Sequence, residues 1–252
     1  MSKVKHNSTV YKQECIATGV YSMWLETPIA TEARPGQFIA VYSKDGSKLL
    51  PRPISICEIG PAGLRIVYRV AGEGTREFST YQAGDTISVM GPLGNGFPLT
   101  EEDAIVIGGG IGVPPMLALS KALKGHKEIV LGYRDELFLN EQFAELGPVT
   151  IATDLGTYGT KGTVIDAIKE HGVTGKVIYA CGPKPMLAAV KQFAQENNMT
   201  AWISMEERMA CGIGACLACV CKTKDIDSHS KVHNTRICAD GPVFNAEEVD
   251  LT

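Results

Sequence analysis

Long hydrophobic runs are missing from this chain. No stretch reaches the roughly eighteen consecutive apolar residues of a membrane-spanning helix, and the polar start Met-Ser-Lys-Val-Lys-His-Asn-Ser contains no apolar signal core. A strong excess of one charge is missing too, because the formal net charge is only −4 and Lys and Arg are scattered along the chain. These absences argue against a membrane or nucleic acid partner and predict a cytoplasmic protein.

Internal repeats and low-complexity linkers are also absent. The 252 residues, 44% of them hydrophobic, are enough for one large domain or two to three small ones with ordinary cores. What the chain does contain is eight cysteines. They predict reduced thiols and metal ligands, whereas a disulfide framework is typical of small secreted chains.

Five of the eight cysteines lie between Cys211 and Cys238, among glycines and charged residues. Cys211, Cys216 and Cys219 have the C-x4-C-x2-C spacing of plant-type [2Fe-2S] sites, and Cys238 is the predicted fourth ligand. Two bridged irons need four thiolates in a small volume, so the loop must be slim and must turn its amides towards sulfur. Four small residues meet that need: Gly212, Gly214, Ala215 and Ala218.

Other readings of these cysteines stay open at this point. Buried cysteines often simply pack in a core. A structural zinc site has a ligand set available in Cys219, Cys221, His229, His233 and Cys238, although such sites favour paired C-x2-C steps and only one occurs here. A Rieske centre needs two histidine ligands, and the chain has no Cys-x-His pair. Cys221, two residues past Cys219, is interpreted as a non-ligand.

The N-terminal third has the pattern of short strands separated by turns. Residues 37–42, 64–70 and 86–90 are the clearest strands and predict a small antiparallel β-barrel. The stretch 91–100 is rich in glycine and proline and interrupts this pattern, which places the end of a first domain near residue 100.

Two segments of the predicted barrel contain residues that are suited to binding a phosphate or a flavin. Arg52-Pro53-Ile54-Ser55 offers a guanidinium for a pyrophosphate and a hydroxyl that can meet a flavin ring nitrogen. In the segment 68–75, closely spaced glycines and Thr75 can open backbone amides to a phosphate. Each motif alone is equally compatible with an ordinary strand end or a plain turn.

The middle third begins with a predicted buried parallel strand. The apolar run 104–107 leads through glycines into a helix start, with the arrangement Gly110-x-Gly112-x-x-Pro115. Glycines let the backbone approach a dinucleotide pyrophosphate, and the helix N-terminus brings free amides to it. Proline suits the first helical turn. A Walker-type loop is excluded because no Gly-Lys-Ser/Thr follows.

Further strands predict a doubly wound parallel sheet over residues 101–203. They lie at 128–133, 149–153 and 176–181, each followed by a loop or helix-like segment. Cys181-Gly182-Pro183 comes at the carboxyl end of a late strand, where open α/β sheets bind ligands, so we predict that it contacts a nicotinamide. A simple turn with a half-buried thiol is the alternative. Near the ribose, Asp135 suits a free 2′-hydroxyl and Arg134 a 2′-phosphate.

These motifs, taken in chain order, resemble the ferredoxin-NADP reductase superfamily. Arg-Pro-x-Ser, Gly-x-Gly-x-x-Pro and Cys-Gly-Pro-x-x-Met carry the resemblance over roughly residues 11–203. The C-terminal module 204–252, with Arg236-Ile-Cys238-Ala-Asp-Gly-Pro-Val-Phe, narrows it to the electron-transfer subunits of heteromeric, NAD-linked class 1B dihydroorotate dehydrogenases. Cys238 follows Cys219 sooner than in plant-type ferredoxins, which fits a truncated module rather than a full ferredoxin domain.

The resemblance implies cofactors, site residues and a partner. FAD is expected on Arg52 to Ser55, on Val67, Tyr68 and Arg69, and on Gly74 and Thr75, with the cluster on Cys211, Cys216, Cys219 and Cys238. Electrons are expected to pass from an FMN-containing dihydroorotate dehydrogenase subunit through the cluster and FAD to NAD+ in pyrimidine biosynthesis, in a heterotetramer of two plus two subunits. No catalytic residue for dihydroorotate itself is expected in this chain.

Alternative functions and one surface also follow from the sequence. A transhydrogenase or sulfide dehydrogenase contains similar parts, and a non-catalytic cluster-carrying regulator is a further possibility. Because the cluster module is small and glycine-rich, Met209, Ile213 and Leu217 are expected either to contact the partner or to pack beneath the cluster.

Overall fold

A computed structural model describes residues 4–227 and 231–251 of the chain. His229, considered above as a zinc ligand, lies outside the described residues. Among the described residues, no helix combines the length and apolar content needed to cross a membrane.

The N-terminal part is a closed barrel of six antiparallel strands, as predicted. Around the barrel their order is β1-β2-β5-β4-β3-β6, and the short helix α1 (Glu73–Phe78) lies between β5 and β6 in the chain. Alternating side chains fill the barrel with apolar residues such as Ile39, Ile66 and Val89, all fully buried. The strands are β1 (Lys5–Ala17), β2 (Val20–Glu26), β3 (Phe38–Tyr42), β4 (Arg52–Ile59), β5 (Gly63–Arg69) and β6 (Thr86–Leu93).

The last barrel strand is longer than the sequence indicated. The glycine and proline at 91–92 were expected to end it, but β6 continues to Leu93, which pairs with Phe38 after a register shift between Phe38 and Ala40. Leu93 is buried, and its side chain holds the end of the strand against the core. The strand therefore continues past the glycine and proline at 91–92, which usually interrupt strand pairing.

The second part is a seven-stranded sheet with helices, in the order β10-β9-β8-β7-β11-β12-β15. All neighbours are parallel except β15, which runs antiparallel to β12. Its strands are β7 (Ala104–Gly109), β8 (Lys127–Tyr133), β9 (Val149–Thr153), β10 (Thr160–Lys161), β11 (Val177–Cys181), β12 (Thr200–Ser204) and β15 (Val243–Asn245). The helices are α2 (Val113–Ala122), α3 (Asn140–Ala144), α4 (Val164–His171) and α5 (Lys184–Glu196).

The sheet reverses its winding between β7 and β11. From β7 the chain proceeds outward to β8 and β9, and it then returns to place β11 and β12 on the other side of β7. The carboxyl ends of β7 and β11 therefore border a crevice, which is where open α/β sheets bind ligands. This confirms the predicted doubly wound fold.

The barrel and the sheet share a core. Ala17, Cys57 and Val67 of the barrel belong to the same buried cluster as residues of α2 and β7. Beside this apolar contact, the buried guanidinium of Arg65 donates from Nε to Ser22 Oγ at 2.8 Å and from Nη1 to Gln142 Oε1 at 2.7 Å. These contacts hold the sheet against the barrel.

The C-terminal segment contributes a two-stranded sheet, β13 (Val220–Lys222) and β14 (Asn234–Arg236), and then β15. Asn95, just after the barrel, holds the turn before β15: its side chain donates to the carbonyls of Asp240 and Val243 and accepts from the Val243 amide. The turn at 240–243 is thus held by Asn95, which follows the barrel, and the strand that begins there joins the edge of the large sheet.

Candidate cofactor-binding sites

The loop from Cys211 to Cys219 has the shape that a cluster needs. Gly212 and Gly214 have φ of +67° and +83°, a conformation that side chains rarely adopt. A Cβ added to Gly214 would lie 2.8 Å from the Cβ of Ala239, so this position is also too crowded for a larger residue. The two glycines let the loop fold back over the segment that carries Cys238.

The four predicted ligands form two pairs. Cys211 Sγ and Cys216 Sγ are 3.3 Å apart, and the side chains of Cys219 and Cys238 are within hydrogen-bonding contact. All four thiols are free of disulfides. A [2Fe-2S] cluster is held by four thiolates, two on each tetrahedral iron, and this arrangement fits that requirement.

Backbone amides point at the sulfur atoms, as the sequence predicted. Cys211 Sγ accepts from the amides of Ile213 at 3.5 Å and Cys216 at 3.4 Å, and Cys238 Sγ accepts from Gly214 N at 3.2 Å. Burial by itself raises the pKa of Cys211, but these amides outweigh it and lower the pKa to about 6. The loop therefore favours a thiolate, the form that binds iron.

Cys221 has different surroundings. It lies in β13 and pairs with Thr235 of β14, although like Cys219 and Cys238 it is buried in the apolar core cluster. Burial, followed by the charge of Glu207, raises the pKa of its thiol to about 11. Among the described residues, which do not include His229, no three His, Cys, Asp or Glu side chains are arranged to hold a single metal ion. Two cysteine pairs suit two irons better than one ion.

The crevice between β7 and β11 brings two predicted nucleotide-binding segments together. A Cβ added to Gly112 would lie 2.3 Å from the carbonyl oxygen of Cys181, so only glycine allows the two turns to approach this closely. On the other side, Gly110 has φ +54° and open space where a side chain would be. Pro114 and Pro115 begin α2, where a missing amide is tolerated.

Cys181 ends β11 at this crevice and is partly exposed. Burial raises the pKa of its thiol to about 12, although a hydrogen bond with Ser204 acts in the opposite direction. Cys181 is thus a neutral thiol at physiological pH. Gly182 and Pro183 follow it, and Pro183 precedes the first residue of α5.

The predicted flavin-binding segments of the barrel also meet. Residues Arg52 to Ser55 open β4 and all remain half-exposed, whereas Ile56 and Cys57 after them are buried. The guanidinium of Arg52 lies against Gly74, where an added Cβ would be 2.8 Å from Arg52 Nε. The arginine and the start of α1, which are far apart in sequence, therefore form one surface.

Not every side chain in those segments faces outward. Tyr68 is buried in the barrel, where its hydroxyl donates to Gln13 Oε1 at 2.9 Å, so only its backbone is available to a ligand. Thr75 accepts from the amides of Ala71 and Gly72 at 2.9 and 3.1 Å, which orders the turn before α1. Arg69 is exposed.

The barrel segments lie next to the crevice. The turn Gly110–Gly112 contacts β5, and α2 contacts β4. Arg134 and Asp135 are exposed just past the carboxyl end of β8, and the Asp154 amide, after β9, donates to the carbonyl of Tyr133 at 3.3 Å. This contact was not predicted from the sequence, because it depends on β8 and β9 being neighbours.

The three candidate sites define a class of protein: a reductase that joins a flavin barrel, a nicotinamide-nucleotide sheet and an iron-sulfur module. Residues 206–250 match the family model described as the iron-sulfur cluster binding domain of dihydroorotate dehydrogenase B. The chain is 43% identical to the dihydroorotate dehydrogenase B (NAD(+)) electron transfer subunit of Bacillus cereus strain B4264, covering 98% of this chain and 99% of the relative. The Bacillus anthracis strain CDC 684 / NRRL 3495 counterpart is 42% identical with the same coverage.

Solved structures give the same picture at the level of the fold. An NADH-dependent reduced ferredoxin-NADP oxidoreductase, studied for flavin-based electron bifurcation, superposes with a TM-score of 0.87 at 29% identity, over 97% of this chain and 90% of that one. A ferredoxin NADP+ reductase from Neisseria gonorrhoeae, with bound FAD and NADP, has a TM-score of 0.64 at 16% identity, over 77% of this chain and 93% of that one.

The chain belongs to the family of electron transfer subunits of dihydroorotate dehydrogenase B. This confirms the resemblance drawn from the motifs. The family, the iron-sulfur domain and the reductase fold support the predicted cofactors, which are FAD, a [2Fe-2S] cluster and NAD.

Proposed function

We propose that the chain carries electrons between the FMN of a dihydroorotate dehydrogenase catalytic subunit and NAD+ in pyrimidine biosynthesis. The observation that carries this proposal is the pairing of Cys211 with Cys216 and of Cys219 with Cys238, in a chain that matches such subunits over its whole length. When bound, the nicotinamide exchanges a hydride and the cluster single electrons, and the flavin is able to do both.

The residue roles follow from the three sites. Cys211, Cys216, Cys219 and Cys238 hold the cluster. Arg52, Pro53, Ile54, Ser55, Val67, Tyr68, Arg69, Gly74 and Thr75 hold FAD, with Arg52 on the pyrophosphate and Tyr68 acting through its backbone. Gly110, Gly112, Pro115, Cys181, Gly182 and Pro183 form the nicotinamide-nucleotide site, in which the neutral Cys181 thiol lies against the ring.

The partner and the organisation of the chain are part of the proposal. The catalytic subunit contains FMN and oxidises dihydroorotate, and two copies of each subunit form a cytoplasmic heterotetramer. Residues 1–100, 101–203 and 204–252 are the flavin, nucleotide and cluster units. This chain acts through its cofactors, and none of its proposed site residues is a base for dihydroorotate.

A transhydrogenase-type reductase subunit is the second candidate. The similarity to an NADH-dependent reduced ferredoxin-NADP oxidoreductase favours it, at 29% identity over 97% of this chain. The 43% identity to dihydroorotate dehydrogenase B subunits favours the first candidate over this one.

An anaerobic NADH titration of the purified chain tests the core of the proposal. We expect one FAD and two irons per chain, bleaching of the flavin absorbance by NADH, and the EPR signal of a reduced [2Fe-2S] cluster. NADPH serves as the comparison and should react more slowly. If the purified chain contains no flavin, or if its flavin stays oxidised when NADH is added, the proposed electron transfer is wrong.

A further inference from the structure

Arg236 occupies a special position beside the cluster loop. It ends β14, two residues before Cys238, and its side chain is only 16% exposed. Asp240 binds it on several sides: the carboxylate accepts from Arg236 Nε at 3.1 Å, from Nη2 at 3.3 Å and from the backbone amide at 3.0 Å. The guanidinium is therefore fixed in direction.

The remaining arm of the guanidinium reaches the cluster loop. Arg236 Nη1 donates to the carbonyl oxygen of Gly214 at 3.1 Å. The amide of the same residue, Gly214, donates to Cys238 Sγ at 3.2 Å. The Asp240 carboxylate, the Arg236 guanidinium and Gly214 are thus linked in turn to the sulfur of a predicted cluster ligand.

This linkage has an electrostatic consequence for a metal cluster. The guanidinium places a fixed positive charge on the cluster loop and holds Gly214 so that its amide donates to the Cys238 sulfur. Hydrogen bonds to the cysteine sulfurs and nearby charge are among the factors that set the reduction potential of an iron-sulfur cluster. Both this hydrogen bond and the positive charge favour the reduced cluster, which carries one more negative charge.

We propose that Arg236 is a positioning residue that raises the reduction potential of the cluster, both through its positive charge and by holding Gly214 with its amide on Cys238, and that Asp240 orients it. The inference rests on the proposed cluster ligands. It assigns to this pair a part in setting how readily electrons enter the chain from its partner.

A purely structural role gives a different result and can be separated experimentally. If Arg236 only held the loop, its replacement would loosen the cluster and lower iron content without moving the potential of the clusters that remain. If its charge and its hold on Gly214 act on the cluster, the potential moves while the iron content stays full.

The test compares R236Q and D240N with the unmodified chain by EPR-monitored redox titration, with iron and sulfide determined in parallel. R236Q should lower the potential so that the oxidised-to-reduced ratio at a fixed potential changes about tenfold, which is 59 mV for one electron. D240N keeps an oxygen acceptor that can orient the guanidinium but removes the counter-charge, and it should raise the potential. Lys12→Gln, which removes one exposed positive charge paired with Glu14 on the barrel, is the control and should leave the potential unchanged.

The outcomes separate this inference from the proposed function. Full iron content with an unchanged potential in R236Q overturns the role of Arg236. If R236Q fails to retain the cluster, D240N decides: an unchanged potential with full iron in that variant overturns the inference. A missing cluster signal in the unmodified chain contradicts the proposed function itself.

Discussion

At the scale of single residues, the five clustered cysteines divide by what surrounds their sulfur atoms. Cys211 and Cys238 accept backbone amides of the glycine loop. For Cys211 these amides lower the thiol pKa to about 6, whereas burial outweighs the amide of Gly214 and raises the pKa of Cys238 to about 12. Cys221 is buried in β13, where burial raises the pKa of its thiol to about 11, and it belongs to neither of the two cysteine pairs.

Replacing Cys221 should therefore leave the cluster in place. We expect Cys221→Ala to retain full iron and labile sulfide and to lose about 1 kcal/mol of unfolding free energy, because a small buried group is removed. Cys238→Ala should lose the cluster. The iron and sulfide contents of the two purified variants check this, and the opposite pattern would show that the fourth ligand is misassigned.

The residue scale is also where sequence reasoning reaches its limit. The spacing of Cys211, Cys216 and Cys219 is local, so the chain itself displays it. The contact between Arg236 and Gly214 joins positions 22 residues apart and depends on how β14 is placed. Similarly, the sequence shows that Gly112 belongs to a glycine turn, but it does not show that this turn lies close to Cys181.

At the scale of elements, one carboxylate joins the loop before β4 to helix α1. Glu77 accepts from the Lys44 amide and the Tyr81 hydroxyl, both at 2.7 Å, and also from the Ser43 hydroxyl, while Lys48 lies 3.4 Å away. The loop then leads directly to Arg52, and α1 contains Gly74. Glu77 therefore holds the two flavin-binding segments together.

Removing this carboxylate should weaken FAD binding. We expect Glu77→Gln to raise the FAD dissociation constant about tenfold, or about 1.4 kcal/mol, because Arg52 loses its fixed position over Gly74. Flavin fluorescence titration measures it, with iron content unchanged. Glu73→Gln is the matched control, since Glu73 lies on the same helix and forms an exposed ion pair with Arg76. Equal effects of both variants would contradict the role of Glu77.

The carboxylate of Glu77 also predicts that the stability of the fold depends on pH. Burial alone raises the pKa of Glu77, but hydrogen bonds from Ser43, Tyr81 and Lys44 lower it to about 2, against an ordinary value of 4.5. A depressed carboxylate pKa stabilises the fold above the ordinary value, and this contribution is lost as the pH falls towards 2. The difference in unfolding free energy between the unmodified chain and Glu77→Gln should shrink over that range.

Elements differ in how well the sequence predicted them. The buried parallel strands β7, β8 and β11 were clear because they are continuous apolar runs followed by turns. The three residues of β15 have no such pattern. They form a strand because they pair with the edge strand β12, and the contacts of Asn95 hold them in place there. Short strands of this kind depend on tertiary structure.

At the scale of the whole molecule, the cluster module presents a surface that the core does not explain. Leu217 is 52% exposed and Ile213 38% exposed on the loop that surrounds the predicted cluster, whereas Met209 packs against the core. Of the three residues considered as partner contacts, the two on the loop are therefore the ones available to a partner. Exposed apolar groups beside a redox centre suit a protein interface.

The last prediction concerns assembly with the catalytic subunit. Alone, the chain should pass electrons from NADH to artificial acceptors and should not oxidise dihydroorotate, because no base for a carbon acid is assigned to it. Mixing with the FMN-containing subunit should produce a stable complex and NAD+-linked dihydroorotate oxidation. Leu217→Asp should weaken that complex at least tenfold, because burying a charge in an apolar interface is costly. Iron content and NADH oxidation with artificial acceptors should stay unchanged.

Tyr11→Asp provides the control for this experiment, because Tyr11 is 53% exposed on barrel strand β1, away from the cluster loop. It introduces the same charge at an apolar position of matched exposure and should leave association intact. Analytical ultracentrifugation gives the dissociation constant, and the rate of NADH formation from dihydroorotate gives the coupled activity. Equal association of Leu217→Asp and the unmodified chain would place the interface elsewhere, and dihydroorotate turnover by this chain alone would refute the division of labour between the two subunits.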